Sequence, residues 1–176
     1  ESKVQGQPMY YNSIMALGDE SEGLYKKQRL VPFGEYIPLA GMLSWVLPAL
    51  QNDPSVSGFS RGASGQKPLL IKKHDLGSAI CYEVAYPNLT RRNARQSDFL
   101  VTVSNDAWFT GTAGPWQHLQ MVQMRAKENG RWFIRATNTG VTAFIDHNGH
   151  IVKQAPIDRK AVLRGELPAM QGETLY

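Results

Sequence analysis

Cys81 is the only cysteine among the 176 residues, so no disulfide can form within the chain and the thiol needs another explanation. A lone cysteine is often just a small buried hydrophobe. This one closes the run Gly77-Ser78-Ala79-Ile80-Cys81, and it is followed at once by Tyr82 and Glu83 and then by Pro87, which suits a first helical turn. A strand that turns sharply into a helix lifts the residue at the turn out of the sheet, which is where a nucleophile is needed. A nucleophilic thiol must also be held partly as thiolate by positive charge or a base. The usual base is histidine, and the chain has His74, His118, His147 and His150. His147 and His150 flank a turn and His74 lies in a loop, so all three are expected to face solvent. His118 lies beside the apolar stripe of a helix, where a hydrogen-bonded structural role is expected. A protease-type cysteine–histidine dyad is therefore disfavoured, and lysine and carboxylate remain as partners.

The elements that would carry these groups alternate between strand and helix. Residues 9–17 (MYYNSIMAL) read as a strand, followed by a turn through Gly18-Asp19, Ser21 and Gly23 and a paired strand resuming at Leu24-Tyr25. The segment Val31–Pro38, with three Pro or Gly residues, reads as an ordered loop, and residues 51–67 as a long surface connection. Leu69–Lys73 and Leu76–Cys81 read as strands joined near His74-Asp75, the second of them central and buried. A helix over Pro87–Arg95 and the apolar run Phe99–Val103 complete a strand–helix–strand unit. Pro115 opens a further helix closed at Asn129-Gly130, with Trp116, Leu119, Val122 and Ala126 on one stripe. Trp132–Thr137 and Val141–Ile145 read as strands, and Asn148-Gly149 as a type I′ hairpin turn leading to Ile151. The expected fold is an α/β layered domain with mixed strand connections.

Two segments resemble known motifs. Tyr25 to Tyr36 (YKKQRLVPFGEY) is similar to the lysine motif of the nitrilase superfamily, and Ile80-Cys81-Tyr82-Glu83 to its cysteine motif. The ordered set VPFGEYIPL, FSRG, ICYE, SNDAWF and GPWQH resembles, more narrowly, the nitrilase-type (carbon-nitrogen hydrolase) domain of the bacterial apolipoprotein N-acyltransferase family. That resemblance implies a nitrilase-like α-β-β-α sandwich, present here only in part. It implies Cys81 as the acylated nucleophile. Lys27, rather than Lys26, stands two residues after Tyr25 and three before Leu30, as in the family's Y-x-K-x-x-L pattern, and its ammonium would stabilise the thiolate and then the oxyanion. The Tyr82 backbone N–H would be the second oxyanion donor. Glu35 matches a glutamate thought to hold the lysine, and Glu83 one beside the nucleophile. Trp108 and Phe109 match an aromatic pair near the pocket, although core packing would explain them equally. The superfamily's base glutamate lies far upstream of the lysine motif, and Glu1, Glu20 and Glu22 do not match it. The chain is thus expected to be the C-terminal portion of a single catalytic domain, preceded in the intact protein by the rest of that domain and by membrane helices. On its own it is expected to be inactive.

The implied reaction is acyl transfer from a phospholipid donor, through a Cys81 thioester intermediate, to the N-terminal amine of a diacylglyceryl-cysteine lipoprotein acceptor, with no metal and no cofactor. The implied location is the bacterial inner membrane, with the catalytic domain on the periplasmic side. The apolar stretch Leu39–Leu50 fits a lipid substrate: with Leu43 and Trp45 it reads as an arm touching the membrane interface, or else as a helix packed inward. It falls short of the ~20 residues a membrane span needs. A soluble amidase of the same superfamily would keep Lys27 and Cys81 but have no use for such an arm, and a non-catalytic fragment is the third reading. The charge balance, 19 Lys plus Arg against 15 Asp plus Glu, comes in short groups without a basic tail, so nucleic acid is not an expected partner.

Overall fold

A computed structural model of the chain describes residues 2–4, 7–36, 38–39, 58–157 and 159–176. Leu43, Trp45 and nearly all of the expected apolar arm lie outside the described residues. The chain opens with β1 (Ser2–Val4) and β2 (Gln7–Met9), an antiparallel pair, and then β3 (Ser13–Met15). The strand expected over 9–17 is thus two strands. Its break falls where Tyr10 turns its carbonyl to the backbone N–H group of Ser60. β4 (Ser21–Glu22) forms where a turn was expected, because it pairs with β6 (Leu69–Ile71), a partner 47 residues or more away in sequence that no local pattern announces. β5 (Leu24–Lys26) pairs with β3 as expected.

The main sheet has seven strands. β7 (His74–Ile80), β8 (Phe99–Ser104) and β9 (Phe133–Thr137) are parallel at its centre. β10 (Ala143–Ile145) and β11 (Ile151–Gln154) extend one side antiparallel, and β6 and β4 extend the other. The turn between β6 and β7 falls at Lys72-Lys73, both with left-handed φ, two residues earlier than expected. The β10–β11 turn is not type I′. Neither His147 nor Asn148 has positive φ, and only Gly149 does (φ 86°), as in a type I turn followed by a glycine bulge. The Asp146 carboxylate accepts from the Asn148 and His150 N–H groups and stabilises this form.

Two helices cover one face. α1 (Pro87–Ala94) starts at its proline, and α2 (Gly114–Asn129) ends at Gly130 in the left-handed conformation (φ 59°). Leu119, Val122 and Ala126 of α2 meet Ala79, Leu100 and Phe133 of the sheet in an apolar core. Trp116, expected on that stripe, is half-exposed instead, and His118, Arg125 and Asn129 are buried on α2. The other sheet face packs Ile80 with Tyr25, Ala16 and Leu69. This is the helix layer and sheet of a nitrilase-like sandwich. No helix among the described residues is long and apolar enough to cross a membrane.

α1 lies close against β7 at Gly77, where a Cβ would stand 2.7 Å from the Asn93 carbonyl oxygen and 2.8 Å from a Leu100 methyl. Gly77→Ala is expected to destabilise the fold by about 1–3 kcal/mol, the usual cost of overpacking, and thermal unfolding of the intact protein checks it.

Candidate active site

β7 ends one residue before Cys81, which takes a left-handed φ of 52° and opens a tight 3₁₀ turn, Cys81–Ala85, before α1. Such a φ in a non-glycine residue costs about 1 kcal/mol or more and persists only where neighbours enforce it. The thiol is partly buried and its sequence neighbour Tyr82 is exposed, its ring edge-on to Tyr86 at 5.4 Å.

Glu83 is fully buried. Its Oε2 accepts from the Ile80 N–H at 2.8 Å and the Tyr25 hydroxyl at 3.0 Å, and its Oε1 from the Gln28 and Arg29 N–H groups at 2.7 and 2.9 Å. One carboxylate therefore binds the backbone just before Cys81 and the backbone just after Lys27. Burial leaves the Glu83 carboxyl above the usual carboxylate range even though these four bonds act to lower it. Every recorded contact is a donor, so the geometry suits the ionised form. The same burial and the adjacent Glu83 charge raise the Tyr25 phenol above its ordinary value. Glu83→Gln would turn an amide N–H₂ toward either the two loop N–H groups or the Ile80 N–H and Tyr25 hydroxyl. Unsatisfied buried donors cost about 1–3 kcal/mol each. The expected result is a loss of about 3 kcal/mol, read from chemical denaturation, together with loosened protection of the Gln28 and Ile80 amides in hydrogen exchange.

Lys27 is 1% exposed, and its Nζ donates to Glu35 Oε1 at 2.7 Å. The same oxygen accepts from Asn12 Nδ2 at 2.6 Å, while Glu35 Oε2 accepts from the Val31 N–H at 2.9 Å. The lysine backbone is equally fixed: its N–H donates to the Asn12 carbonyl and its own carbonyl accepts from the Gly62 N–H. A Cβ on Gly62 would fall 2.2 Å from the Lys26 carbonyl oxygen, so the FSRG segment requires glycine there. Glu83 thus ties the backbone beside Lys27, which is paired with Glu35, to the backbone beside Cys81.

Trp108 and Phe109 lie in the 3₁₀ turn Asp106–Phe109 after β8 and are 82% and 45% exposed, so core packing does not explain them. Below them is a network that sequence reading did not assemble. Asp106, fully buried, accepts from Ser104 Oγ at 2.5 Å and His118 Nδ1 at 2.9 Å on one oxygen, and from Arg135 Nη2 at 2.6 Å on the other. His118 is hydrogen-bonded and buried as expected, and its Nε2 faces the Cys81 carbonyl oxygen at 3.1 Å. Asn12 and Arg135 were not singled out in the sequence. An arginine inside the apolar strand Phe133–Thr137 was the available signal, since a charge there needs a buried partner.

The carbon-nitrogen hydrolase family profile matches residues 1–174. The chain is 49% identical over 176 residues to the apolipoprotein N-acyltransferase of Pseudomonas paraeruginosa and 50% identical over 173 residues to that of Azotobacter vinelandii. Those alignments cover 100% and 98% of this chain but 34% and 33% of the relatives, so the chain spans about a third of the length of the curated proteins it matches. Among solved structures, the NitFhit protein of C. elegans superposes with a TM-score of 0.57 at 21% identity, over 77% of this chain and 32% of that one. A Nesterenkonia AN1 amidase from the nitrilase superfamily superposes at 0.53 and 18% identity, over 77% of this chain and 47% of that one. The two distant structures share the fold, the profile spans nearly every residue, and the chain belongs to the carbon-nitrogen hydrolase family.

Proposed function

We propose that this chain is the nucleophile-bearing, C-terminal portion of the catalytic domain of a bacterial N-acyltransferase that moves a fatty acyl chain from a phospholipid to the N-terminal amine of a diacylglyceryl-cysteine lipoprotein. The observation that carries the reading is the 49% identity, over all 176 residues, to proteins named apolipoprotein N-acyltransferase. The site geometry supports the chemistry. Cys81 Sγ attacks the ester carbonyl of the phospholipid; the C–S bond forms, the ester C–O bond breaks, and the lysophospholipid leaves with the thiol proton on its hydroxyl. The acceptor's α-amine then attacks the thioester; the C–N bond forms, the C–S bond breaks, and a proton returns to sulfur. Each step passes through an oxyanion, for which the Lys27 ammonium and the Tyr82 N–H are the donors. Glu35 orients Lys27, and Glu83 holds the backbone of both motifs in register.

In this reading the exposed Trp108 and Phe109 are surfaces for the acyl chain, and Leu43 and Trp45 are further lipid-binding residues. The protein works, in the same reading, at the bacterial inner membrane, with the catalytic domain on the periplasmic side. The general-base glutamate belongs to an upstream segment of the same domain. The intact protein incubated with acyl-labelled phospholipid tests the reading. A hydroxylamine-sensitive adduct that chases onto a diacylglyceryl-cysteine peptide is expected, and residues 1–176 alone are expected to form none. No adduct on the intact protein, or turnover of small amides instead, would overturn it.

A further inference from the structure

Three charged side chains lie directly beneath the Cys81 turn, and the proposed acyl transfer gives them no task. Asp106 and Arg135 are closed off from solvent at 0% and 1% exposure, and His118 is buried with them. They come from three separate elements, the turn after β8, α2 and β9.

The contacts of the ring suit its doubly protonated form. Asp106 Oδ1 stands 2.9 Å from His118 Nδ1, and the Cys81 carbonyl oxygen stands 3.1 Å from His118 Nε2. A carboxylate and a carbonyl can only accept, so the arrangement favours donation from both ring nitrogens, which is an imidazolium. The alternative, a neutral ring, would press a nitrogen lone pair against one of these oxygens in a buried site. Asp106 is ionised in its turn: burial would raise its carboxyl, but the bonds from His118 and Ser104 and the Arg135 charge hold it below the ordinary carboxylate range.

The count of charge is then unequal. Asp106 contributes one negative charge, while His118 and Arg135 contribute two positive ones. A buried excess of one cation is costly unless an anion forms nearby. Burial pulls the Arg135 guanidinium below its usual value, against which the Asp106 carboxylate acts and against which the nearby Cys81 sulfur would act once ionised. Arg135 Nε donates to the Val141 carbonyl and Nη2 to Asp106, while Nη1 is buried and has no partner among the described residues. The titratable and charged groups against His118 are Asp106 from the turn after β8, Arg135 from β9, at 3.4 Å from Nδ1, and Cys81 from the turn after β7.

We propose that Asp106, His118 and Arg135 are positioning residues for the nucleophile: the His118 imidazolium holds the Cys81 carbonyl, and with it the left-handed turn, while the excess positive charge of the cluster favours sulfur as thiolate from below. Lys27 is then free to serve the oxyanion. The proposal rests on Cys81 being the nucleophile, and it gives Asp106, in the SNDAWF segment, and His118, in GPWQH, one shared purpose.

The experiment uses the intact protein. The rate of Cys81 alkylation by iodoacetamide at pH 7 is compared with steady-state kcat and KM for acyl transfer, in variants first checked for wild-type circular dichroism. His118→Gln keeps an N–H for the Cys81 carbonyl but loses the charge; alkylation and kcat are expected to fall by about tenfold or more, with KM within about twofold, as for loss of one nearby opposite charge. Arg135→Gln should behave alike, and Arg135→Lys should recover part of the loss. Folded variants alkylated at the wild-type rate with unchanged kcat would overturn the proposal. If the variants do not fold, the unaltered protein decides: ¹⁵N signals of labelled His118 should show both ring nitrogens protonated at pH 7, and one bare nitrogen overturns it. These outcomes are separate from failure of the acyl-enzyme reading itself, in which the wild type would form no adduct at all.

Discussion

Cys81→Ala is expected to remove the acyl adduct completely and to lower transfer to the lipoprotein amine by about 10⁴-fold or more, the scale seen when a covalent nucleophile is deleted and nothing nearby can replace it. The reason is specific to this turn. Cys81 is the only cysteine, and Glu83, the nearest carboxylate in sequence, is fully buried and committed to four donors, so it cannot act as a substitute nucleophile. The fold should be nearly indifferent to the change. Alanine adopts the φ of 52° at the same cost as cysteine, and the carbonyl that meets His118 belongs to the backbone and is retained. The thermal midpoint of Cys81→Ala should therefore stay within a few degrees of wild type. An adduct that persists in this variant, measured with labelled phospholipid and hydroxylamine release, would remove Cys81 from the mechanism.

The contrast between a silent fold and a lost activity reflects how the site is held. Local sequence patterns sufficed for the parts of the fold that rest on local physics: the apolar runs of β7 and β8, the prolines that open α1 and α2, and Gly130 at the end of α2. They failed where distant backbone decides. β4 exists only because β6 pairs with it, and the expected strand over 9–17 is split near Tyr10, whose carbonyl serves Ser60 instead of a neighbouring strand. The hairpin after β10 shows the same limit at short range, since the Asp146 side chain outweighed the Asn-Gly preference.

The candidate site divides in the same way. Cys81 was legible from its place at the end of an apolar strand, and Lys27, Glu35 and Glu83 through resemblance to the lysine and cysteine motifs. The buried contacts among them were not legible, because Glu83 meets residues 54 to 58 positions away and Arg135 meets Asp106 across 29. Trp116 was assigned inward because it is large and apolar, whereas α2 turns His118 inward to meet Asp106 and the Cys81 carbonyl. A polar side chain with two buried partners can displace an aromatic one from the core-facing stripe, and hydrophobic periodicity does not register such an exchange.

Lys27→Met is expected to lower kcat for adduct formation by about 10²–10³-fold, the range for losing one preorganised oxyanion donor, while KM for phospholipid changes by no more than about twofold. Methionine keeps the length and apolar contacts of the side chain and removes only the charge. Glu35 would then keep its bonds from Asn12 and Val31 but lose its cation in a site that admits little solvent. Breaking a buried pair from one side commonly costs about 3–5 kcal/mol, so a fall in activity alone could be read as unfolding. The double variant Lys27→Met with Glu35→Gln separates the two effects. It removes both charges together and should recover much of the lost stability in chemical denaturation, since a neutral pair leaves no uncompensated ion. Activity should not return, because the oxyanion still has no ammonium. If the double variant regained both stability and turnover, Lys27 would be a structural partner of Glu35 and the oxyanion would depend on backbone donors alone. If Lys27→Met raised KM in proportion to the loss of kcat/KM with kcat unchanged, the ammonium would bind substrate uniformly and the proposed transition-state role would be wrong. The geometry favours the first outcome. An ammonium held at 2.7 Å by one carboxylate, its own backbone fixed by Asn12 and Gly62, is already ordered before substrate arrives, and that order is what makes a donor effective on a charge that exists only in transit.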